Sequence, residues 1–461
     1  MIDKKHIKNL KKLIGEENVK DDKAHLIAYS YDATRNRYEP DLVVFPKDEK
    51  DVSEILKYCN ENRIVITPRG AGSGFTGGAL PAKGGIVLSL EKHMNKILEI
   101  DMENMVAVVQ PGVINKELQR EVEKVGLFYP PDPASQEYST IGGNVSENAG
   151  GMRAAKYGIT KDYVMALRAV LPNGDIIRAG KKTIKDVAGY NLAGILVGSE
   201  GTLAVITEIT LKLLSKPRLS KTAMGVFKSV DDAMRAVYKS LAGGANPVAM
   251  EFLDNLTIRA VEEKFHKGLP VEAGAILISD IDGNVEEEID YQLSLLEKFF
   301  KQNGCVEFRV AKDEREAADI WFARRNASQS ITIYGSKKIN EDITVPRSKL
   351  PKYLKEVDRI SKKYRVKIPC FGHTGDGNVH TNVMVDALDE DEIKRGYEAI
   401  EEIFKITIEI GGTLSGEHGI GLSKAPFMKM AFTPEEMKLF KRIKEAFDPN
   451  NILNPGKMGL E

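Results

Sequence analysis

Apolar positions along this chain change their period several times, and each change marks an element. Ile7, Leu10, Leu13 and Ile14 recur at helical spacing among lysines, which predicts an amphipathic helix that covers a core rather than a membrane surface. Residues 42–46 read as a strand, 51–62 as a helix and 64–67 as a second strand, so the front of the chain opens as a β-α-β unit. Strand-like runs at 86–90 and 106–109, a helix at 115–125 and strands within 164–171 and 201–214 follow. Two glycine-rich tracts, 68–81 and 140–158, interrupt this half and read as loops, where a rigid scaffold usually carries function. Near Ser215-Lys216-Pro217-Arg218 the glycine density falls and a new pattern begins. It comprises strand-like 223–227, a helix from Asp231, strand-like 275–279, and helices at 286–301, 317–328, 349–364 and 391–408. The pattern predicts an α+β chain of two domains, residues 1–217 and 218–461.

Length agrees, since 461 residues exceed what one ordinary core encloses. A formal charge of −1 with no nucleic-acid motif argues against a nucleic-acid partner. Cys59, Cys305 and Cys370 stand alone without C-x-x-C spacing. That argues against a disulfide scaffold, a thiolate zinc site or an iron–sulfur cluster in this chain, and fits a reducing cytoplasm. No apolar run approaches the length of a membrane span and no signal-peptide stretch opens the chain, so a cytoplasmic protein without a transmembrane segment is expected.

Three of the seven histidines sit beside carboxylates in two short glycine-rich segments, Gly372-His373-Thr374-Gly375-Asp376-Gly377-Asn378-Val379-His380 and Ser415-Gly416-Glu417-His418-Gly419. Asp376-Gly377 predicts a two-residue hairpin turn, which would set His373 directly opposite His380 with Asn382 on the same face. Two imidazoles so paired can converge on one divalent ion, and Glu417 is the candidate third ligand. Two histidines and a carboxylate with an open position suit Zn, Mn or Fe(II). The alternative is a pair of hairpin histidines on a solvated face and a Glu-His pair in an ordinary loop.

Gly72, Gly74 and Gly77 form a literal G-x-G-x-x-G after a strand, but Gly78 and Pro81 follow where a dinucleotide fingerprint needs a helix. The tract reads better as an anion-binding concavity of backbone N–H groups, with a structural glycine turn as the alternative. The second tract offers Pro131, Asp132 and Ser135, then Thr140, Gly142, Gly143, Ser146, Asn148 and Gly151. With 183–191, Gly198-Ser199-Glu200-Gly201-Thr202-Leu203, the His-x6-His and Gly-Glu-His segments and Phe447-Asp448-Pro449-Asn450-Asn451-Ile452-Leu453-Asn454-Pro455-Gly456-Lys457, these loops resemble the FAD-binding PCMH-type, or vanillyl-alcohol oxidase, superfamily. Within it the chain is most similar to the branch of D-lactate dehydrogenases and glycolate oxidase FAD subunits.

The resemblance implies a PCMH-type FAD-binding domain, then an α+β, ferredoxin-like substrate domain, with the C-terminal tail returning to the first. It implies FAD held by Arg69, Gly70, Ala71, Gly72, Ser73, Gly74, Gly77 and Gly78 at the diphosphate. Pro131, Asp132, Ser135, Thr140, Gly142, Gly143, Ser146, Asn148, Gly151, Gly158, Gly201, Val205, Ile206 and Asn454 would hold the remainder. The reaction implied is oxidation of a 2-hydroxy acid, D-lactate or glycolate, with His373, His380 and Glu417 as metal ligands. His418 is the candidate general base, its alternative role a fourth ligand. Arg324 and Ser328 share a helical face as substrate anchors, with Asn382. Related D-2-hydroxyglutarate dehydrogenases carry a lysine where this chain has Asn340, a departure that tilts the reading toward monocarboxylates, although Lys337 and Lys338 are close. Electrons would leave to an iron–sulfur subunit, an electron-transferring flavoprotein or a quinone, and such a partner would give a peripheral place at the inner membrane face. A homodimer is open. Other readings are a flavin-carrying electron-relay subunit, a D-2-hydroxyglutarate dehydrogenase and an alkyl-ether synthase-like flavoenzyme.

Covalent members of the superfamily carry a histidine in the first loop, where this chain has Ser73. Acid denaturation is therefore expected to release all yellow cofactor into the supernatant; flavin that stays on the polypeptide in a denaturing gel contradicts this.

Overall fold

The amphipathic start is a helix, Lys4–Ile14, with Asp3 capping its first turn and Leu10 and Ile14 buried beneath it. The computed structural model describes residues 2–460. Its packing divides the chain into one unit of Met1–Gly150, Ile159–Lys216 and Glu417–Glu461, and another of Gly151–Gly158 and Pro217–Gly416.

In the first unit the β-α-β opening is present as Leu42–Val44, the helix Glu49–Glu61 and Ile66–Arg69. Ile86–Ser89 lies between the two strands, parallel to both, and Val19–Lys20 adds an antiparallel edge. Leu10, Ile14, Val52, Ile55 and Leu56 pack on this sheet, as Ile452 and Leu453 of the C-terminal tail do. A second, antiparallel sheet orders Ile97–Asp101, Val106–Val109, Val205–Lys212, Val164–Val170 and Ile176–Gly180. Its two edge strands are largely exposed, so they lack the apolar run that would announce them. The tract 140–158 is not all loop: Ile141–Glu147 is a helix, capped by Thr140 and closed by Asn148 at φ 54°. Gly142 and Gly143 hid it, because glycine disfavours helix by about 1 kcal/mol per residue.

The tail returns to this unit through the helix Pro434–Phe447. Just beyond it, the buried Asp448 carboxylate accepts from Lys444 Nζ at 2.5 Å and from the N–H groups of Ile452 and Leu453. Lys444 Nζ also donates to the carbonyls of Thr202 and Leu453.

The second unit is an α+β layer on seven antiparallel strands. Their order is Cys305–Val310, Leu219–Phe227, Ala275–Gly283, Ala249–Asp254, Cys370–His373, Asn378–Val385 and Lys337–Thr344. Ala249, Leu253, Phe371 and Met384 on one face pack with Ile258 and Val261 of the helix Asn255–Phe265 and with Trp321 and Ala327 of the helix Glu314–Ser330.

The hairpin register corrects the sequence expectation. Phe371 pairs with His380 and Cys370 with Thr381, so His373 and His380 are not directly opposed, and the turn takes four residues, 374–377. The offset is two residues, and a shift of two preserves the face that a shift of one would flip. His373, His380 and Asn382 therefore still share a face.

Asp448→Ala leaves the Lys444 ammonium buried without its counter-charge and strips two N–H groups of their acceptor. Urea unfolding is expected to show a loss of about 3–5 kcal/mol, and a loss under 1 kcal/mol, roughly that of a surface pair, would remove the tail anchor from the account.

Candidate functional site

The first unit presents two clefts, of about 560 and 940 Å³, that share Gly70, Ala79, Thr140, Gly143 and Glu147 in their walls. The loop after Ile66–Arg69 and the N-terminal end of the helix Ile141–Glu147 come together there. At Gly70 a Cβ would lie 2.2 Å from Thr140 Oγ1, so only glycine allows the two segments to close. Arg69 lines the smaller cleft and is buried, with Nη2 donating to Tyr31 O at 2.9 Å and the guanidinium 5.4 Å from the Tyr29 ring. Its Nε and Nη1 have no hydrogen-bond partner among the described residues. Idle donors on a buried cation are what a bound diphosphate would satisfy.

Ala71, Gly72, Ser73, Gly74, Ser135 and His418 line the larger cleft, while Gly142, Ser146, Gly201, Val205 and Ile206 line the smaller. His418 tilts against Phe75, ring centroids 5.4 Å apart, with Nε2 3.8 Å from Glu417 Oε1. Other predicted cofactor residues stand behind the walls. Pro131 O accepts from Asn115 and Gln119, Asp132 is buried, and Gly77 faces Leu422. Asn148 ends the helix, and Asn454 Nδ2 braces the carbonyls of Gly78 and Glu200. Gly151 and Gly158 belong to the second unit.

In the second unit the centre is Glu251, wholly buried in the strand Ala249–Asp254. Its Oε2 takes a hydrogen bond from Arg324 Nε at 2.5 Å and its Oε1 lies 2.7 Å from His373 Nδ1. Burial alone would raise the Glu251 pKa, but His373 and Arg324 together hold it below the usual carboxylate range. An ionised carboxylate accepts only, so it sets the His373 proton on Nδ1 and makes Nε2 the acceptor nitrogen. That Nε2 lies 3.3 Å from His380 Nε2. Arg324 also lies over the Phe371 ring, 4.9 Å from its centroid.

Across the sheet from His380 stands Asp342, whose buried carboxylate accepts from Asn378 Nδ2, from Ser415 Oγ at 3.0 Å and from Gly416 N at 2.9 Å. A Cβ on Gly416 would lie 2.1 Å from Asn378 Nδ2 and 2.2 Å from Thr344 Oγ1. The segment that precedes Glu417 is thus pinned to the strand beside His380. Asn382 is buried, its Nδ2 donating to the carbonyls of Pro369 and His380. Ser328 is exposed and accepts from Lys338 Nζ at 2.8 Å, and Arg325 is exposed and donates to Ala318 O. Asn340 pairs with Asn382, and Lys338 stands two residues earlier on the same face.

Sequence reasoning missed Glu251 and Asp342, and named Lys338 only as a neighbour of Asn340. The signal for Glu251 was available as one carboxylate inside the apolar run Val248-Ala249-Met250-Glu251-Phe252-Leu253, which a buried strand tolerates only with a counter-charge.

Residues 216–458 match the model of the FAD linked oxidase C-terminal domain, and residues 40–180 that of an FAD binding domain. The chain belongs to the FAD-linked oxidases. This FAD-linked oxidase is 45% identical over 459 residues to "Glycolate oxidase subunit GlcD" of Bacillus subtilis, covering 99% of this chain and 97% of that protein. It is 35% identical over 466 residues to the D-lactate dehydrogenase of Anaerostipes hadrus, covering 99% and 97%. Its fold is that of p-cresol methylhydroxylase, with a TM-score of 0.82 at 19% identity over 99% of this chain and 96% of that one. The FAD-linked oxidase is thus an oxidoreductase with FAD as its cofactor and a PCMH-type fold. Among the described residues no helix is long and apolar enough to cross a membrane.

Glu251→Gln removes the charge that balances Arg324 and the carboxylate that accepts from His373 Nδ1. It is expected to cost about 3 kcal/mol in urea unfolding and to change the nitrogen-15 shifts of the His373 ring as Nδ1 loses its carboxylate partner; an unchanged ring spectrum would contradict the assigned proton position.

Proposed function

We propose that the chain oxidises a 2-hydroxy acid, D-lactate or glycolate, to the 2-oxo acid with FAD and one divalent ion. The observation that carries this reading is the His373–His380 pair. Two nitrogens at about 2.05 Å from one tetrahedral ion stand roughly 3.3 Å apart, and the two Nε2 atoms are 3.3 Å apart. The carboxylate behind His373 is the outer support such a ligand usually has. Glu417 is the third ligand in this reading, supported by the anchoring of Gly416 on Asp342. Zn, Mn and Fe(II) all suit the donor set.

FAD, when bound, accepts the hydride from the substrate C2. The ion held by His373, His380 and Glu417 would grip the substrate carboxylate and hydroxyl and stabilise developing alkoxide. Arg324 keeps Nη1 and Nη2 without hydrogen bonds to the described residues, and these can take a carboxylate. His418 removes the hydroxyl proton, a general-base task that an imidazole suits. With three scattered cysteines, two of them buried, electrons leave through a partner protein or a quinone. The name of the Bacillus relative, a subunit, supports a partner.

Lys338 at Ser328 favours a second reading, a 2-hydroxy acid with a distal carboxylate. Anaerobic addition of D-lactate, glycolate and D-2-hydroxyglutarate should each be scored by flavin bleaching, before and after chelation. Bleaching by one or more that is lost on chelation and restored by a divalent ion supports the reading, and bleaching indifferent to chelation removes the metal. His418→Ala is expected to keep flavin and metal but to lose substrate reduction by about 10²-fold or more; loss of the metal instead makes His418 a ligand.

A further inference from the structure

Glu147 is a titratable group that the reaction above does not use. It ends the helix Ile141–Glu147 and lines both clefts of the first unit. Its carboxyl is wedged between glycine loops: a Cβ on Gly78 would lie 2.5 Å from Oε1, and one on Gly419 2.1 Å from Oε2. Oε2 is sealed from solvent and has no hydrogen-bond partner among the described residues. Gly419 is shared with a second acid, since the same Cβ would stand 3.1 Å from Glu200 Oε1.

The two carboxyls are treated unequally. Glu200 accepts from the N–H groups of Ile420 and Gly421, both at 2.7 Å, which suits an anion. Glu147 has no such donor. The other charges bearing on it are Asp32, whose Oδ1 is taken by Thr34, and Lys457, whose Nζ donates to Leu80 O. His418 lines the same larger cleft. Two carboxylates cannot both ionise cheaply in such a place, and the one without donors keeps the proton.

We propose that Glu147 is a neutral carboxylic acid facing the FAD cleft and that it donates its O–H to the bound cofactor. A carboxylate there would instead repel a diphosphate-bearing ligand. Burial, then Glu200 and Asp32, push the Glu147 pKa well up, against Lys457. A raised folded value means the proton is kept above the ordinary carboxylate range and lost as pH climbs through that value.

The test is FAD binding to the apoprotein, read by quenching of flavin fluorescence at rising pH, for wild type, Glu147→Gln and Glu147→Ala. Gln keeps a donor and cannot ionise, so E147Q is expected to bind FAD within about threefold of wild type at neutral pH, and E147A about tenfold more weakly. At alkaline pH the wild type should lose affinity that E147Q retains. Lys457, which burial holds down at about 8, titrates in the same range, but it is common to both proteins, so their difference reports Glu147. The infrared difference between the two apoproteins at neutral pH should show the carbonyl stretch of one protonated carboxyl group, a readout independent of cofactor. The proposal is overturned if E147A binds FAD as wild type does, if wild type and E147Q share one pH profile, or if the carbonyl stretch is missing.

Discussion

A carboxylate sealed inside a sheet must be neutralised, and in the second unit that requirement organises everything around Glu251. Arg324 comes from the helix over the sheet and His373 from the neighbouring strand, so one charge ties three elements together. The same bond decides which nitrogen of His373 carries its proton, and hence that a lone pair faces His380. Because the ion pair is buried, its worth lies less in net stability than in fixing one arrangement that a hydrophobic core would leave free. The donor pair inherits its geometry from that arrangement.

The first unit meets a related constraint with different means. Glycine loops have no side chains to bury, so polar ties close them. Glu200 gathers two N–H groups of 420–421, Asn454 braces two carbonyls, and Asp448 collects Lys444 with two tail amides. Small residues let the backbone approach a ligand, and distant tail residues keep the loops in place. Of the three, Glu200 lines the smaller cleft, while Asn454 and Asp448 stand outside the walls of both.

Elements with strong periodicity were legible from residue order alone. The helices at 4–14, 49–61, 286–302 and 350–364 lie within a few residues of their expected places, because an apolar stripe at 3.6 spacing has one economical way to be buried. Half-exposed edge strands and the glycine-bearing helix Ile141–Glu147 were not legible, since neither carries an apolar period strong enough to outweigh poor local propensity. The hairpin illustrates the middle case. Alternation put His373, His380 and Asn382 on one face, but turn chemistry alone misplaced the register by two residues, and the choice of a four-residue loop followed from pairing with the strands on either side.

Residue order was enough for an α+β chain, a glycine-loop half suited to an anion and a histidine and carboxylate set; FAD and the return of the tail to the first half came from the resemblance to a known family. The former are properties of local composition and spacing, which survive without knowing any contact. Folding alone decided that Glu251 backs His373, that Lys338 donates to Ser328, that Asp342 anchors Gly416, and that Glu147 and Glu200 converge on Gly419. Each pairs residues far apart in the chain or across a strand register, and the energy that selects it, neutralising a charge without water, exists only once the sheet has excluded solvent.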